Sequence, residues 1–126
     1  MKTVLIIEDN LEIRENTTEI LELKGFKVIN ADNGKDGMLA ATKHSPDIIL
    51  CDIMMPQMDG YLVLKDLKKN PSTAHIPFVY VTASAEKSEV KRAMDMGADG
   101  YVRKPFDTKE LIDTINKCLK NSPSYF

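Results

Sequence analysis

Four apolar runs of this chain each end at, or lead into, a side chain that could do chemistry. The polar residues are Glu8 and Asp9 after run 4–7, Asp52 after run 48–51, Thr82 after run 78–81 and Lys104 after 101–102. If the runs are neighbouring parallel strands, their carboxyl ends share the sheet edge where open α/β folds place their sites. Like charges this close repel, so a cation, protonation or the lysine must offset them. The pattern predicts a site for a divalent metal ion and a phosphoryl group.

Bulk composition excludes several classes of protein. The 126 residues fit one domain with one core, and 43% hydrophobic with 29% charged residues is typical of a globular protein. A net charge of −2 gives no general nucleic-acid footprint, so direct nucleic-acid binding is disfavoured.

The cysteines and the N-terminus bear on the compartment. Cys51 and Cys118 give no disulfide framework, and we expect two reduced, half-buried packing residues. Residues 4–7 are too short an apolar run for a signal peptide or a membrane span. We therefore expect a cytoplasmic protein without membrane insertion.

Short β-rich runs alternate with longer helical patterns, which predicts βα units and a parallel sheet. The predicted strands are 4–7, 26–31, 47–51, a run from 78 and 99–102, and helices are predicted near Leu11, after Asn33, after Asp59, beyond Thr82 and after Asp107. The predicted domain spans 1–120, and 121–126 is a tail.

The adjacent acids Glu8 and Asp9 are expected in a turn, because a continuing strand would point them to opposite faces. Mg²⁺ keeps several waters and takes one or two protein carboxylates, so Asp9 could bind directly and Glu8 through water. The alternative is that Asp9-Asn10 only caps the helix that begins near Leu11, and for these residues in isolation it is the better interpretation.

An aspartate at a strand end is usually a turn former, and Asp52 is singled out only by the polar residues after the neighbouring runs. A carboxylate there can attack phosphorus and form an aspartyl phosphate.

The Thr82 hydroxyl and the backbone N–H of Ala83 could bind phosphoryl oxygens. Lys104 could pair with Asp52 and then with the phosphoryl group. A cis bond before Pro105 is a further hypothesis, because it would aim the lysine.

These segments together resemble the receiver domain of two-component response regulators, in particular single-domain regulators of the chemotaxis and sporulation type. The resemblance covers about residues 2–119 and rests on five motifs: Ile7-Glu8-Asp9-Asn10, the run from Cys51 to Gly60, Val81-Thr82-Ala83-Ser84, Gly97-Ala98-Asp99-Gly100-Tyr101 and Arg103-Lys104-Pro105-Phe106.

The resemblance implies a flavodoxin-like (βα)5 three-layer sandwich with a parallel sheet in the order 2-1-3-4-5. It also implies that Asp52 accepts a phosphoryl group from a phosphohistidine on a sensor kinase or a histidine phosphotransfer protein. By position, Mg²⁺ or Mn²⁺ would be held by Glu8, Asp9, Asp52 and the backbone carbonyl of Met54.

The same resemblance assigns the remaining roles. Lys104 and Thr82 would bind phosphoryl oxygens, with the Ala83 N–H as a backbone contact. Tyr101, otherwise a plain strand residue, would reorient together with Thr82 and change the face of the fourth helix, fifth strand and fifth helix. A downstream protein target would read this face, in a monomer or a phosphorylation-dependent dimer.

Positions 54 and 84 are where the family tunes acyl-phosphate hydrolysis, and apolar Met54 suggests a long-lived phosphorylated state. Such a domain catalyses only its own phosphorylation and slow dephosphorylation, so it is not a turnover enzyme.

Three alternative classes of protein fit the sequence less well. A phosphohydrolase of the haloacid dehalogenase type would need a second acid where Met54 stands. A flavin- or nucleotide-binding sandwich would not place acids after the first strand. A degenerate receiver would have lost Asp52 or Lys104.

Overall fold

Five strands and five helices alternate along the chain in a computed structural model that describes residues 1–52, 60–82 and 87–120. The strands are β1 (Thr3–Ile7), β2 (Lys27–Ala31), β3 (Ile48–Asp52), β4 (Phe78–Thr82) and β5 (Gly100–Arg103). The helices are α1 (Leu11–Leu23), α2 (Gly34–His44), α3 (Gly60–Lys69), α4 (Lys87–Asp95) and α5 (Thr108–Lys120).

The strands form one parallel sheet in the order β2-β1-β3-β4-β5, which confirms the predicted flavodoxin-like topology. Side chains alternate along each inner strand, so Leu5 and Ile7 of β1 face one core while Val4 and Ile6 face the other. Both faces of β3 and β4 are buried, which explains their unbroken apolar runs.

Helices cover both faces and complete the three layers. On one face, α2, α3 and α4 contribute Ala41, Leu64 and Ala93 to the core. On the other face, α1 and α5 contribute Leu21 and Ile115. From β1 the chain passes outward to β2 on one side, and from β3 it passes outward to β4 and β5 on the other side. The direction of the connections therefore changes between β1 and β3, and open α/β sheets bind their ligands at such a point.

Several predicted details differ from the structure. Asp52 and Thr82 are the last residues of β3 and β4 and do not follow the strands. The two cysteines are buried thiols and not half-buried ones, because both face packed core between sheet and helix.

The predicted helix start at Asp59 and the tail 121–126 lie outside the described residues. Within the described ranges, no helix is both long and apolar enough to cross a membrane.

Candidate functional site

The candidate residues meet because the strand ends are in register. Ile7 pairs with Cys51, which places Glu8 and Asp9 beside Asp52 at the carboxyl edge. On the other side of β3, Asp52 pairs with Val81, one residue before Thr82. Thr82 in turn pairs with Arg103, the residue before Lys104. The predicted convergence at one edge is therefore what the structure shows.

Three carboxylates form a compact cluster at this edge. One oxygen each from Glu8, Asp9 and Asp52 lies within 4.8 Å of the others. Glu8 and Asp52 are 4% and 7% exposed, whereas Asp9 is exposed. Two of the three acids therefore have little water to stabilise their charge, and the cluster needs a cation.

Lys104 supplies one positive charge to the cluster. Its Nζ donates to Glu8 Oε1 at 2.6 Å and to Asp52 Oδ2 at 3.2 Å. Burial acts to lower the pKa of Lys104, but the Glu8 and Asp52 carboxylates outweigh it and raise this pKa above the usual 10.5. The lysine was predicted to pair with Asp52; the structure adds Glu8 as its closer partner, because the extra methylene of Glu gives the carboxylate more reach.

Asp9 is the exposed acid of the cluster, yet its surroundings still disfavour its charged form. Its pKa is raised from the usual 3.8, first by partial burial and then by its hydrogen bond and charge repulsion with Glu8. The charge of Lys104 acts in the opposite direction without cancelling the rise. The Asp9 carboxylate is thus available for a further cation.

The turn between β1 and α1 is held by three hydrogen bonds. Asn10 caps α1 by accepting from the backbone N–H of Ile13 at 3.0 Å, and its own N–H donates to Glu8 Oε2 at 3.2 Å. The predicted helix cap is therefore Asn10, which leaves Asp9 in the acid cluster. The third bond was not anticipated: Arg14 donates from a guanidinium nitrogen to the Glu8 carbonyl at 2.8 Å. No sequence signal distinguishes this arginine from an exposed charge on α1.

Thr82 and Lys104 are tied through their backbones. The Lys104 N–H donates to the Thr82 carbonyl at 2.7 Å, and the Lys104–Pro105 peptide is cis, as hypothesised. Thr82 is 3% exposed, while Tyr101 is 43% exposed on β5. Met54, Ala83 and Ser84, to which the sequence assigned further contacts, lie outside the described residues.

The donor set matches a hard divalent cation. Carboxylate oxygens are the ligands that Mg²⁺ prefers, and no soft thiolate or imidazole ligand joins the group within the described ranges. The formal charge of three carboxylates and one ammonium is −2, which one divalent ion would balance. The residues present therefore fit Mg²⁺ or Mn²⁺.

Comparison with known proteins points the same way. A family described as the response regulator receiver domain matches residues 4–116. The response regulator SaeR of Staphylococcus aureus (strain USA300) is 34% identical over 125 residues, covering 99% of this chain and 54% of SaeR. The chain thus spans about half the length of the curated relatives it matches.

Two solved structures give the comparison in three dimensions. The chemotaxis protein CheY4 of Vibrio cholerae has a TM-score of 0.90 at 26% identity, covering 94% of this chain and 98% of CheY4. The receiver domain of the sensor histidine kinase PA1611 from Pseudomonas aeruginosa, described with a magnesium ion coordinated in its active site cleft, has a TM-score of 0.88 at 23% identity, covering 95% of this chain and 98% of that domain.

The family match, the sheet order and the acid cluster with its lysine agree with one another. The chain belongs to the receiver domain family of two-component response regulators.

Proposed function

We propose that this chain is a phosphoacceptor switch in which Asp52 receives a phosphoryl group from a phosphohistidine of a histidine kinase or phosphotransfer protein. The observation that carries the proposal is the position of Asp52, whose carboxylate lies in the acid cluster with Lys104 Nζ 3.2 Å from Oδ2. The domain we assign to this activity spans 1–120, with 121–126 as a tail.

In the proposed transfer, a carboxylate oxygen of Asp52 attacks phosphorus, a P–O bond forms, and the P–N bond to the donor histidine breaks. The electron pair of the broken bond stays on the imidazole nitrogen, which takes up a proton. Lys104 and the Thr82 hydroxyl bind the phosphoryl oxygens. The positive charge of Lys104 offsets the negative charge of these oxygens, which the carboxylates of the cluster alone would repel. The backbone N–H of Ala83 is assigned the remaining oxygen contact.

Asp9, Asp52 and, through water, Glu8 would hold Mg²⁺, with the Met54 carbonyl as a further ligand. When bound, the ion supplies positive charge that screens the acids and the incoming phosphoryl oxygens. Arg14 fixes the Glu8 carbonyl and Asn10 binds the Glu8 side chain, so the protein prepares this part of the site before any ion arrives.

The output we propose is a shift of the face formed by α4, β5 and α5, with Thr82 and Tyr101 as the residues that respond. Two observations support this: Tyr101 is 43% exposed, and α4 is fixed by one buried residue, Ala93. A downstream protein target would bind one state of this face, in a monomer or in a phosphorylation-dependent dimer.

The phosphoacceptor role is tested by incubating the protein with acetyl phosphate and Mg²⁺ and measuring intact mass and the modified residue. We expect one PO₃ group on Asp52 that is lost in Asp52→Asn and absent when EDTA removes Mg²⁺. Asp66→Asn is the matched control, because Asp66 is an exposed acid on α3 away from the cluster. Modification that persists in Asp52→Asn would contradict the proposal.

The same preparation separates a switch from a phosphohydrolase. A switch releases phosphate slowly after one equivalent has bound, whereas a hydrolase turns over many equivalents of a phosphomonoester such as p-nitrophenyl phosphate. We expect no multiple turnover, because the described part of the site offers carboxylates paired with one lysine and no separate acid and base poised for water.

A further inference from the structure

Tyr80 is a buried residue with an unsatisfied polar group. Its side chain is 1% exposed, and its hydroxyl has no hydrogen-bond partner among the described residues. The buried hydroxyl of Thr73, by contrast, donates to the Leu67 carbonyl at 2.7 Å. A buried hydroxyl without a partner raises the free energy of the state that contains it.

The location of Tyr80 connects it to the proposed switch. Tyr80 on β4 pairs in register with Tyr101 on β5, and the two ring centroids are 5.8 Å apart with a tilt of 31°. One ring of this pair is buried and the other is 43% exposed. Any inward movement of Tyr101 must therefore repack against the Tyr80 ring.

One candidate acceptor for the Tyr80 hydroxyl lies on α4, the helix that has a single buried residue. Burial, followed by the charges of Tyr61, Tyr101 and Glu89, raises the pKa of Tyr80 to about 12, so the hydroxyl keeps its proton at neutral pH. Glu89 is half-buried in the first turn of α4 and offers a carboxylate acceptor.

We propose that Tyr80 is a second aromatic residue of the switch, whose unsatisfied hydroxyl destabilises the resting packing of α4 and gains Glu89 as its acceptor when α4 and Tyr101 rearrange. Tyr80 is a positioning residue in this scheme, since it acts through α4 and touches no reacting atom. The inference rests on the proposed function, namely phosphorylation of Asp52. A group satisfied in one state and not in the other shifts the equilibrium between them.

The test compares Tyr80→Phe, which removes only the hydroxyl, with Thr73→Val, which removes a hydroxyl that has a partner. The measurements are the melting temperature without ligand and the apparent affinity for beryllofluoride with Mg²⁺, a phosphoryl mimic that binds carboxylates. We expect Tyr80→Phe to raise the resting melting temperature by about 3 °C. It should also weaken beryllofluoride binding about fivefold, because the resting state is favoured. Thr73→Val should lower the melting temperature and leave that affinity unchanged.

A second variant tests the acceptor without altering the core. Glu89→Met, which removes the acceptor oxygens, should weaken beryllofluoride binding in the parent and have no further effect in the Tyr80→Phe background, which is the signature of a coupled pair. An affinity that is unchanged by Tyr80→Phe, or a resting melting temperature lowered by it, would overturn the inference. If the parent binds no beryllofluoride and takes no phosphoryl group from acetyl phosphate, the phosphoacceptor function itself fails and the inference falls with it.

Discussion

The acid cluster and helix α4 are held very differently. Hydrogen bonds hold the cluster: Lys104 donates to the Glu8 and Asp52 carboxylates. The backbone N–H of Asn10 donates to the Glu8 side chain, and Arg14 donates to the Glu8 carbonyl. The nine-residue α4 has one buried residue and a cation–π contact from Arg92 to Tyr61. Chemistry at phosphorus needs groups fixed in advance, whereas a signal needs a segment that can be displaced at low cost.

Helix α5 makes the contrast sharper, because it borders the same strand β5. It buries Leu111, Ile115 and Cys118 along one face, so displacing it would open the core. Displacing α4 would disturb little apolar area beyond Ala93. The difference supports the proposal that α4 is displaced more easily than α5 when the site changes.

The largest effect is expected from Lys104→Met, which removes the cation from a site where Glu8 and Asp52 are nearly buried. Breaking such a pair leaves buried charge uncompensated and should lower the free energy of unfolding by about 3 kcal/mol in metal-free buffer. Because Glu8 and Asp52 raise the pKa of Lys104 above 10.5, the stabilisation from the pair is fully present below that pH and is lost as pH rises through the raised value. Urea denaturation at neutral pH measures the difference.

The control for this variant is Lys91→Met, which removes a lysine that pairs with Asp95 at 2.8 Å on the exposed surface of α4. A screened surface pair contributes little, so the unfolding midpoint should hardly change. Equal destabilisation by both variants would mean that the cluster is not the more tightly constrained region.

Mg²⁺ should stabilise the parent by mass action, by about 2.7 kcal/mol at a concentration one hundred times its dissociation constant. Calorimetric titration and melting curves with increasing MgCl₂ provide the measurement. Asp52→Asn should remove most of the gain, whereas Asp66→Asn on α3 should retain it. A gain of equal size in both variants would show that Mg²⁺ binds elsewhere.

A smaller effect is expected for Asp9→Asn, in the opposite direction. Since burial and Glu8 raise the pKa of Asp9, the folded protein disfavours its charged form, and this acid lowers stability increasingly as pH rises from 3.8 through the raised value. The substitution should therefore raise the melting temperature at pH 7 without metal. The gain should vanish in acid, where Asp9 is neutral in both states.

Asp9 is exposed, so solvent screening keeps the effect below about 1 kcal/mol. Asp36→Asn is not a suitable comparison, because Asp36 takes part in the first turn of α2, but Asp66→Asn has no such role. If Asp9→Asn lowers the melting temperature at pH 7, the charge of Asp9 is stabilised by the fold and the crowded-acid interpretation is wrong.

The meeting of polar residues at the strand ends and the Lys104–Asp52 pair were predictable, but the closer Lys104–Glu8 contact was not. Runs of β-rich residues specify where a parallel strand ends, and parallel strands end at one edge, so Asp9, Asp52 and Lys104 could be placed together. The preference of Lys104 for Glu8 depends on side-chain reach and on packing between segments 96 residues apart. No local pattern contains that information.

Which residues of a helix remain exposed is harder to predict than where a strand ends. Apolar residues on α3 and α4 define a stripe only approximately, and Leu62 and Met94 lie on its exposed margin. The missing partner of the Tyr80 hydroxyl is harder still to predict, since it depends on which groups of α3, α4 and β5 surround one buried atom. These are properties of packing, and the proposed movement of α4 depends on them most.

The smallest effect is expected from Arg92→Gln on the exposed side of α4. The guanidinium carbon of Arg92 lies 4.0 Å from the centroid of the Tyr61 ring, and an exposed contact of this kind contributes about 0.5–1 kcal/mol. Its loss should change global stability little, because α4 adds little to the core. Amide exchange in 87–95 should nevertheless become faster, since this contact is a main anchor of the helix, while exchange in α5 stays as it is. Lys91→Gln removes the same charge from the same helix without touching Tyr61, and its α4 amides should exchange as in the parent. If amide exchange in 87–95 became equally faster in both variants, the cause would be the loss of positive charge from the helix. The burial of Ala93, and not the contact with Tyr61, would then hold α4 in place.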